Sequence, residues 1–590
     1  MKKTQCLFFV AFISLITSCG YNNPKNESPN NELKTLFNTY WEQRLKLYPL
    51  EATAIGDNRY NNLLPINISE AYRDTLRAFY QKQLDQIQQL NAHLNEEDQI
   101  SKELFEYELK TNLESLKYPS HLIPINQFWG FTLEFPQLGS GDGNQPFKTV
   151  KDYDDFLARI KQFPIWADTA IANMRKGISL GYVLPTSLAV KVVPQLKNVL
   201  TIDASKNIFY QCVKKMPSTF SAEDKKRIEN AYQYEIGKCI IPSYYKLKQF
   251  FEKEYIPACR STSGIASLPN GKEYYQFLIN QYTTTNLSPD SIYNLGLKEV
   301  ARIKSEMEKV KVEVGFKGTL QEFFNFINTD KQFYPFTTAQ QVLDSFWAIK
   351  KIEDPKLKTI FESEPTTKFE IRQTEAYRAA SASAEYNAGS EDGTRPGIFY
   401  TPILDPTKFN IVGMETLFLH EAIPGHHYQI SLQQENKNLP QFRKFLGYSA
   451  YAEGWALYTE TLGKDLGLFS NPYQYLGHLS DAMHRAIRLV VDVAIHTKGM
   501  SREEAIQYMM DNERITEAEA TAEIERYMAI PGQALSYKIG QITISAMRAR
   551  YEKELGSKFN LAAFHTQLLN GGNMPLEVLE KKLVLWKKTF

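Results

Sequence analysis

The stretch His420-Glu421-Ala422-Ile423-Pro424-Gly425-His426-His427 lies within 414–434, a run that otherwise has the pattern of a helix. The chain has 9 histidines in 590 residues, and three of them fall in these eight positions. In zinc peptidases two histidines of one helix bind the metal, and a glutamate between them takes a proton from water. The stretch therefore predicts a zinc site on a helix, with His420 as one ligand and Glu421 beside it.

The spacing of this stretch departs from the common HExxH pattern, because Pro424 occupies the position four residues after His420. On a straight helix His427 lies almost in line with His420 but about two turns away, and His426 points about 120° elsewhere. Proline cannot donate to the carbonyl of His420 and Gly425 tolerates unusual backbone angles, so we expect the helix to kink or bulge here. The alternative is that these histidines only occupy the surface or cap a helix break.

A second helical run follows at 451–460, with the sequence YAEGWALYTE. Glu453 comes 27 residues after His426, close to where helical zinc peptidases place the carboxylate that completes a His₂Glu set. Glu460 shares a helix face with Glu453 and is interpreted as a solvated residue rather than a support for a ligand. Upstream, Arg395–Pro402 is β-prone between turn formers, and we consider it as an edge strand along which a peptide binds.

The N-terminus has the pattern of a bacterial lipoprotein signal. Lys2 and Lys3 precede the apolar run Leu7–Ile16, and small residues lead to Cys19. The apolar run is shorter than the roughly 20 residues that a membrane-spanning helix needs. We therefore expect a signal peptide at 1–18, lipidation of Cys19, a flexible tether at 19–32, and a lipid anchor in the bacterial cell envelope, facing the periplasm or the cell surface.

Composition and charge limit the remaining possibilities. The net charge is +1 and 43% of the residues are hydrophobic, so we expect a folded protein that is not a nucleic-acid binder. Apolar residues at three- and four-residue intervals predict a mostly α fold over 33–590, with an N-terminal helical part at about 33–310 and the metal-site part at about 311–590. Cys212, Cys239 and Cys259 have no metal-site spacing and are interpreted as unpaired buried thiols, although one disulfide is possible after export.

Several motifs together resemble the bacterial family called domain of unknown function 885. The resemblance covers nearly the whole chain after the signal and rests on HEAIPGHH at 420–427, EGWALYTE at 453–460, RLVVD at 488–492 with His496, PGQALSYKIG at 531–540, PLEATAIGD at 49–57 and the segment 181–185. It implies a large helical metallopeptidase-like fold with a deep central cleft and a small β element near the active site. The fold would be similar to that of the carboxypeptidase Taq, thimet oligopeptidase and angiotensin-converting enzyme families.

The resemblance also implies a set of roles for the residues. Those families carry H-E-x-G-H, and matching their Gly-His to Gly425-His426 makes His426 the second zinc ligand beside His420 and Glu453, with His427 as the alternative. Glu421 is then the general base that activates the attacking water.

A tyrosine late in the chain stabilises the developing negative charge in those families, and Tyr537 is the candidate here. Tyr527, Lys538 and Arg548 are possible substrate-binding residues, and Asp492 with His496 either orients a ligand or forms a structural pair. The implied function is that of a zinc peptidase acting on short peptides, either carboxypeptidase- or oligopeptidase-like. The alternatives are a non-enzymatic lipoprotein that binds peptides or glycans, and a zinc hydrolase of another amide or ester.

Overall fold

The computed structural model describes residues 30–375, 379, 383–390, 393 and 395–590. Helices form 69% of the structure, and the described residues contain one small sheet of three strands. The predicted mostly α fold is therefore confirmed. Among the described helices, none is both long and apolar enough to cross a membrane. Cys19 and the predicted signal lie outside the described residues.

The first half of the chain is a succession of helices separated by short turns. They are α1 (Asn31–Leu47), α2 (Pro49–Ala54), α3 (Glu70–Gln89), α4 (Glu96–Ser115), α5 (Phe131–Gly139), α6 (Val150–Leu180), α7 (Thr186–Val199), α8 (Gln211–Lys214), α9 (Ala222–Glu235), α10 (Ile241–Phe250), α11 (Gly271–Thr283), α12 (Pro289–Glu313) and α13 (Leu320–Thr329).

The second half contains the three strands and the remaining helices. They are α14 (Ala339–Ile360), β1 (Phe369–Gln373), β2 (Glu385–Asn387), β3 (Gly397–Thr401), α15 (Met414–Glu421), α16 (His426–Glu435), α17 (Gln441–Phe445), α18 (Ser449–Glu460), α19 (Pro472–Val493), α20 (Arg502–Asn512), α21 (Glu517–Ala529), α22 (Leu535–Leu555), α23 (Leu561–Leu569) and α24 (Leu576–Lys587).

Polar caps fix where many of these helices begin. Asn30 accepts a hydrogen bond from the backbone of Leu33, so the helical part starts at Asn31, inside the segment predicted as tether. Thr149 and Asp152 form a reciprocal capping box at the start of α6. Such caps satisfy backbone donors that have no partner within the first helical turn.

The small sheet has the order β1-β3-β2, with β1 parallel and β2 antiparallel to β3. Every residue of β3 is buried. The expectation of an edge strand at Arg395–Pro402 is therefore wrong, because β3 is the central strand and both of its sides are already hydrogen-bonded. The expected β element near the site is confirmed, since the ring centroid of Phe369 in β1 lies 5.0 Å from that of His427 in α16.

Helices from both ends of the chain share the main core. One buried cluster joins residues of α1, α3 and α4 with residues of α14, α15, α18, α23 and α24. Within it α18 and α22 meet backbone to backbone, because a Cβ atom added at Gly454 would lie 2.6 Å from Cα of Gly540, and one added at Gly540 would lie 1.9 Å from the carbonyl oxygen of Ala450. This close approach brings the 451–460 and 531–540 motifs together.

The three described cysteines are unpaired, as the sequence predicts. Burial raises the pKa of the Cys212 thiol to about 12 and that of the Cys239 thiol to about 11. Cys212 and Cys239 are therefore neutral, inert thiols in the hydrophobic core.

Candidate metal centre

The predicted break in the helix is present between α15 and α16. Helix α15 ends at Glu421, α16 begins at His426, and the Ile423–Pro424 peptide bond between them is cis. Carbonyl groups freed by the break are bound by α18: the Thr459 hydroxyl donates to the Leu419 oxygen and the Trp455 indole to the Pro424 oxygen, both at 2.9 Å.

The break brings His426 to the same side as His420. Their ring centroids are 5.0 Å apart, and the Nε2 atom of each lies 3.6 Å from Oε2 of Glu453. One ligand atom from each of the three residues lies within 4.8 Å of the others. The structure thus brings together three residues that the sequence singles out as a set.

His420 is oriented by a residue that the sequence analysis misjudged. Oε1 of Glu460 lies 2.8 Å from Nδ1 of His420, and Glu460 is 2% exposed. The interpretation of Glu460 as solvated is therefore wrong, because every side of α18 at this end is buried. A carboxylate bonded to the second ring nitrogen fixes the direction in which Nε2 points.

Burial and opposite charges compete at these groups. Burial disfavours the charged form of His420, but the carboxylates of Glu453 and Glu460 outweigh it and raise the pKa of His420 to about 10. Burial likewise disfavours the charged carboxylates, yet His420 with His426 holds the pKa of Glu453 well below its usual range, and His420 with His478 lowers the pKa of Glu460 to about 2. Both carboxylates are therefore ionised.

His427 points away from this cluster. Its Nδ1 atom lies 2.9 Å from the hydroxyl of Tyr386 in β2, and the residue is buried. Burial lowers the pKa of His427 to about 4, so its ring is neutral. The sequence left His426 and His427 as alternatives for the second ligand, and the structure places His426 at the cluster.

Tyr537 lies on the first turn of α22, partly exposed, with the guanidinium of Arg488 4.6 Å from its ring centroid. Tyr527 is 1% exposed, and its hydroxyl is bonded to Arg488 at 2.9 Å and to Glu523 at 2.6 Å. Tyr527 is thus buried and bonded within the protein, and its substrate-binding role stays a prediction.

The two predicted basic residues are engaged within the protein. Lys538 is buried, and its Nζ atom lies 3.3 Å from a carboxylate oxygen of Glu299. Arg548 is partly exposed and donates to Glu552 at 2.8 Å. Neither contacts the His420, His426 and Glu453 cluster among the described residues, so their substrate-binding roles stay predictions.

Asp492 and His496 do not bond each other, so the predicted structural pair between them is absent. Asp492 accepts from the hydroxyl of Tyr275 at 2.5 Å and from the backbone N–H of Gly532 at 3.1 Å. His496 accepts from the backbone of Ile265. Both are fully buried, and Asp492 anchors the turn that leads into α22.

Two cavities bear on the expected cleft. A cavity of about 130 Å³ is lined by Glu460, His478 and Lys538 among others, but by none of the three cluster residues. A groove of about 920 Å³ lies at α1, α4 and α24 and includes none of the cluster residues. A deep central cleft at the cluster stays a prediction.

The donor set fits a zinc ion. Two imidazoles and one carboxylate are the ligands of many catalytic zinc sites, and ligand distances of ~2.0–2.1 Å put tetrahedral ligand atoms roughly 3.4 Å apart. The 3.6 Å separations match this spacing. Oε2 of Glu453 is buried and has no hydrogen-bond partner among the described residues, as expected of an atom that binds a cation.

The fold and the cluster define a helical protein with a candidate His₂Glu metal site. A family profile matches residues 49–583, so the chain belongs to the family described as bacterial protein of unknown function (DUF885). The structure is similar to that of a candidate lipoprotein from Colwellia psychrerythraea, with 28% identity, a TM-score of 0.87, and coverage of 95% of this chain and 99% of that chain. It shares its fold with a candidate lipoprotein of unknown function from Shewanella oneidensis, with 21% identity, a TM-score of 0.73, and coverage of 94% and 99%. No curated protein matches the sequence.

Proposed function

We propose that this protein is a zinc-dependent peptidase, held in the bacterial cell envelope by a lipid on Cys19. The proposal rests above all on the convergence of His420, His426 and Glu453 directly beside Glu421. The lipoprotein signal pattern at the N-terminus supports the anchor, as does the description of the similar protein from Colwellia psychrerythraea as a lipoprotein.

The residues of the chain divide the work of hydrolysis. A zinc ion bound here would supply an acidic water and polarise the substrate carbonyl. Glu421 is half-buried at the end of α15, where its carboxylate accepts the proton of the attacking water and later returns it to the leaving amine. Glu460 keeps His420 in the orientation that binding requires. Tyr537, on the helix α22 that packs against α18, is the proposed donor to the oxyanion.

The test combines zinc content with cleavage of a mixed-length peptide library by the full-length protein. We expect about one zinc per chain and cleavage in the parent, zinc without cleavage in Glu421→Gln, and loss of both in Glu453→Ala. Glu229→Gln, which changes an exposed glutamate of α9, is the control and should behave as the parent.

The outcomes separate the alternatives. Zinc binding without cleavage of any peptide would contradict the peptidase assignment and favour hydrolysis of another amide or ester. A protein that binds no zinc and cleaves nothing would favour a non-enzymatic binding lipoprotein.

A further inference from the structure

Two arginines lie on α19, a helix that packs against both α15 and α22. Arg485 and Arg488 are one turn apart on it. Helix α15 carries His420, and α22 carries Tyr537, on whose ring the Arg488 guanidinium stacks. The helix of the pair therefore adjoins both the helix of a proposed metal ligand and the candidate oxyanion donor.

Each guanidinium keeps a buried nitrogen with no partner among the described residues. Arg488 donates from Nε to Tyr527 at 2.9 Å and from Nη2 to Glu523 at 3.1 Å, while its Nη1 is unpartnered. Arg485 donates from Nη1 to Asp481 at 2.9 Å, while its Nε is unpartnered. The Arg488 side chain is only 6% exposed. A buried charged donor that has no acceptor lowers the stability of the fold, so we expect a ligand to supply the acceptor.

Carboxylates packed against the pair engage its other donors. Asp481 bonds Arg485 and Glu523 bonds Arg488, while Glu460 interacts electrostatically with Arg485 but is bonded to His420. Among the described residues, none of these carboxylates bonds Nη1 of Arg488 or Nε of Arg485.

The Arg488 guanidinium is also fixed in orientation. Its carbon lies 4.6 Å from the ring centroid of Tyr537 and 5.7 Å from that of Tyr527. A guanidinium held by two aromatic rings loses little freedom when it binds an acceptor. Guanidinium groups bind carboxylates with paired, charge-assisted hydrogen bonds.

We propose that Arg485 and Arg488 bind a carboxylate of the substrate, so that the substrates are short peptides with a carboxylate next to the bond that is cleaved. The inference rests on the proposed function for the cleavage step, but the binding of the carboxylate does not depend on it. The carboxylate comes either from the peptide C-terminus, which gives exopeptidase action, or from an acidic side chain.

The test measures binding rather than turnover, in the full-length Glu421→Gln protein with and without zinc. Three peptides are compared by calorimetry: Ala-Ala-Phe, its C-terminal amide, and Ala-Ala-Glu amide. We expect a carboxylate-bearing peptide to bind about 30-fold more tightly than Ala-Ala-Phe amide, as removal of a charged hydrogen-bond partner implies. Ala-Ala-Phe reports the C-terminal source and Ala-Ala-Glu amide the side-chain source. Affinities within threefold of one another, or no binding of any peptide, would overturn the proposal.

Two variants in the same background assign the effect to the arginines. Arg485→Met and Arg488→Met should each reduce the preference to below about fivefold, through weaker binding of the carboxylate-bearing peptide. Arg485→Met is included because Arg488 also bonds Tyr527 and Glu523 and its loss affects folding. Arg550→Met, on an exposed face of α22, should keep the full preference. A preference that survives in both arginine variants would refute the assignment.

The proposed function is judged separately, by the zinc content and peptide cleavage of the parent. Cleavage with no carboxylate preference would refute the arginine site but not the peptidase assignment. A carboxylate preference in a protein without zinc or cleavage would support the arginine site and refute the peptidase assignment.

Discussion

Replacing Gly425 by alanine tests whether the break between α15 and α16 builds the metal centre. A Cβ atom at this position would lie 1.9 Å from the carbonyl oxygen of His420 and 2.3 Å from that of Leu419. Both are backbone atoms, so no side chain can move aside. Real Cβ contacts do not fall below 3.0 Å, and the turn must therefore open by about 1 Å.

That displacement falls on the proposed metal ligands, because Gly425 directly precedes His426 and the methyl group of the introduced alanine pushes against the carbonyl oxygen of His420. Metal sites tolerate departures of about 0.2 Å from ideal ligand distances. We expect the zinc affinity to fall at least about 100-fold, or about 2.7 kcal/mol. Overpacking should also lower the free energy of unfolding by about 1–3 kcal/mol.

Competition with a fluorescent zinc chelator measures the affinity, and thermal melting of the metal-free protein measures stability. The control is Gly237→Ala, in a helical segment where an added Cβ would have no neighbour within 4 Å. It should leave zinc affinity unchanged and melt at or slightly above the parent temperature. If Gly425→Ala binds zinc within threefold of the parent and melts normally, then the reasoning about this turn is refuted.

Three further predictions concern the surrounding residues. Glu460→Gln should weaken zinc binding by about 10- to 100-fold in the chelator assay, because the charge that orients His420 is lost; unchanged affinity would deny Glu460 this role. His426→Gln should abolish stoichiometric zinc in metal analysis, whereas His427→Gln should retain it; the reverse pattern would make His427 the ligand. Burial raises the pKa of Asp492 to about 7, above the roughly 3.9 of an unfolded chain, so its contribution to stability is present below about pH 4 and lost as the pH rises through 7. Urea unfolding should show the parent losing stability relative to Asp492→Asn over that range, and parallel pH profiles would contradict the assignment.

The sequence predicts the residues of the cluster because most of its signal is local. His420 and Glu453 are indicated by their spacing in two neighbouring helices, and the break at Pro424 follows from proline chemistry. Spacing leaves His426 and His427 open, and His426 is favoured only by the family resemblance. Glu460 was misjudged for a physical reason: the end of α18 is buried on every side, so helical periodicity no longer separates a solvent face from a core face.

Other features depend on contacts that are distant in sequence. Lys538 lies against Glu299, and Asp492 binds Gly532 rather than His496. β2 has only three residues, which is too short for alternation to reveal it, and without β2 the strand β3 resembles an edge. The unpartnered nitrogen of Arg488 is visible only once the groups packed around it are known.

The glycine contact between α18 and α22 has a mechanical consequence for the site. Where two backbones touch at Gly454 and Gly540, no side chain lies between them that can change rotamer and let one helix slide along the other. The two helices therefore behave as one rigid unit that carries Glu453 on α18 and Tyr537 on α22. Any opening of the protein has to come from the elements that face this unit, so we expect the distance between Glu453 and Tyr537 to stay constant.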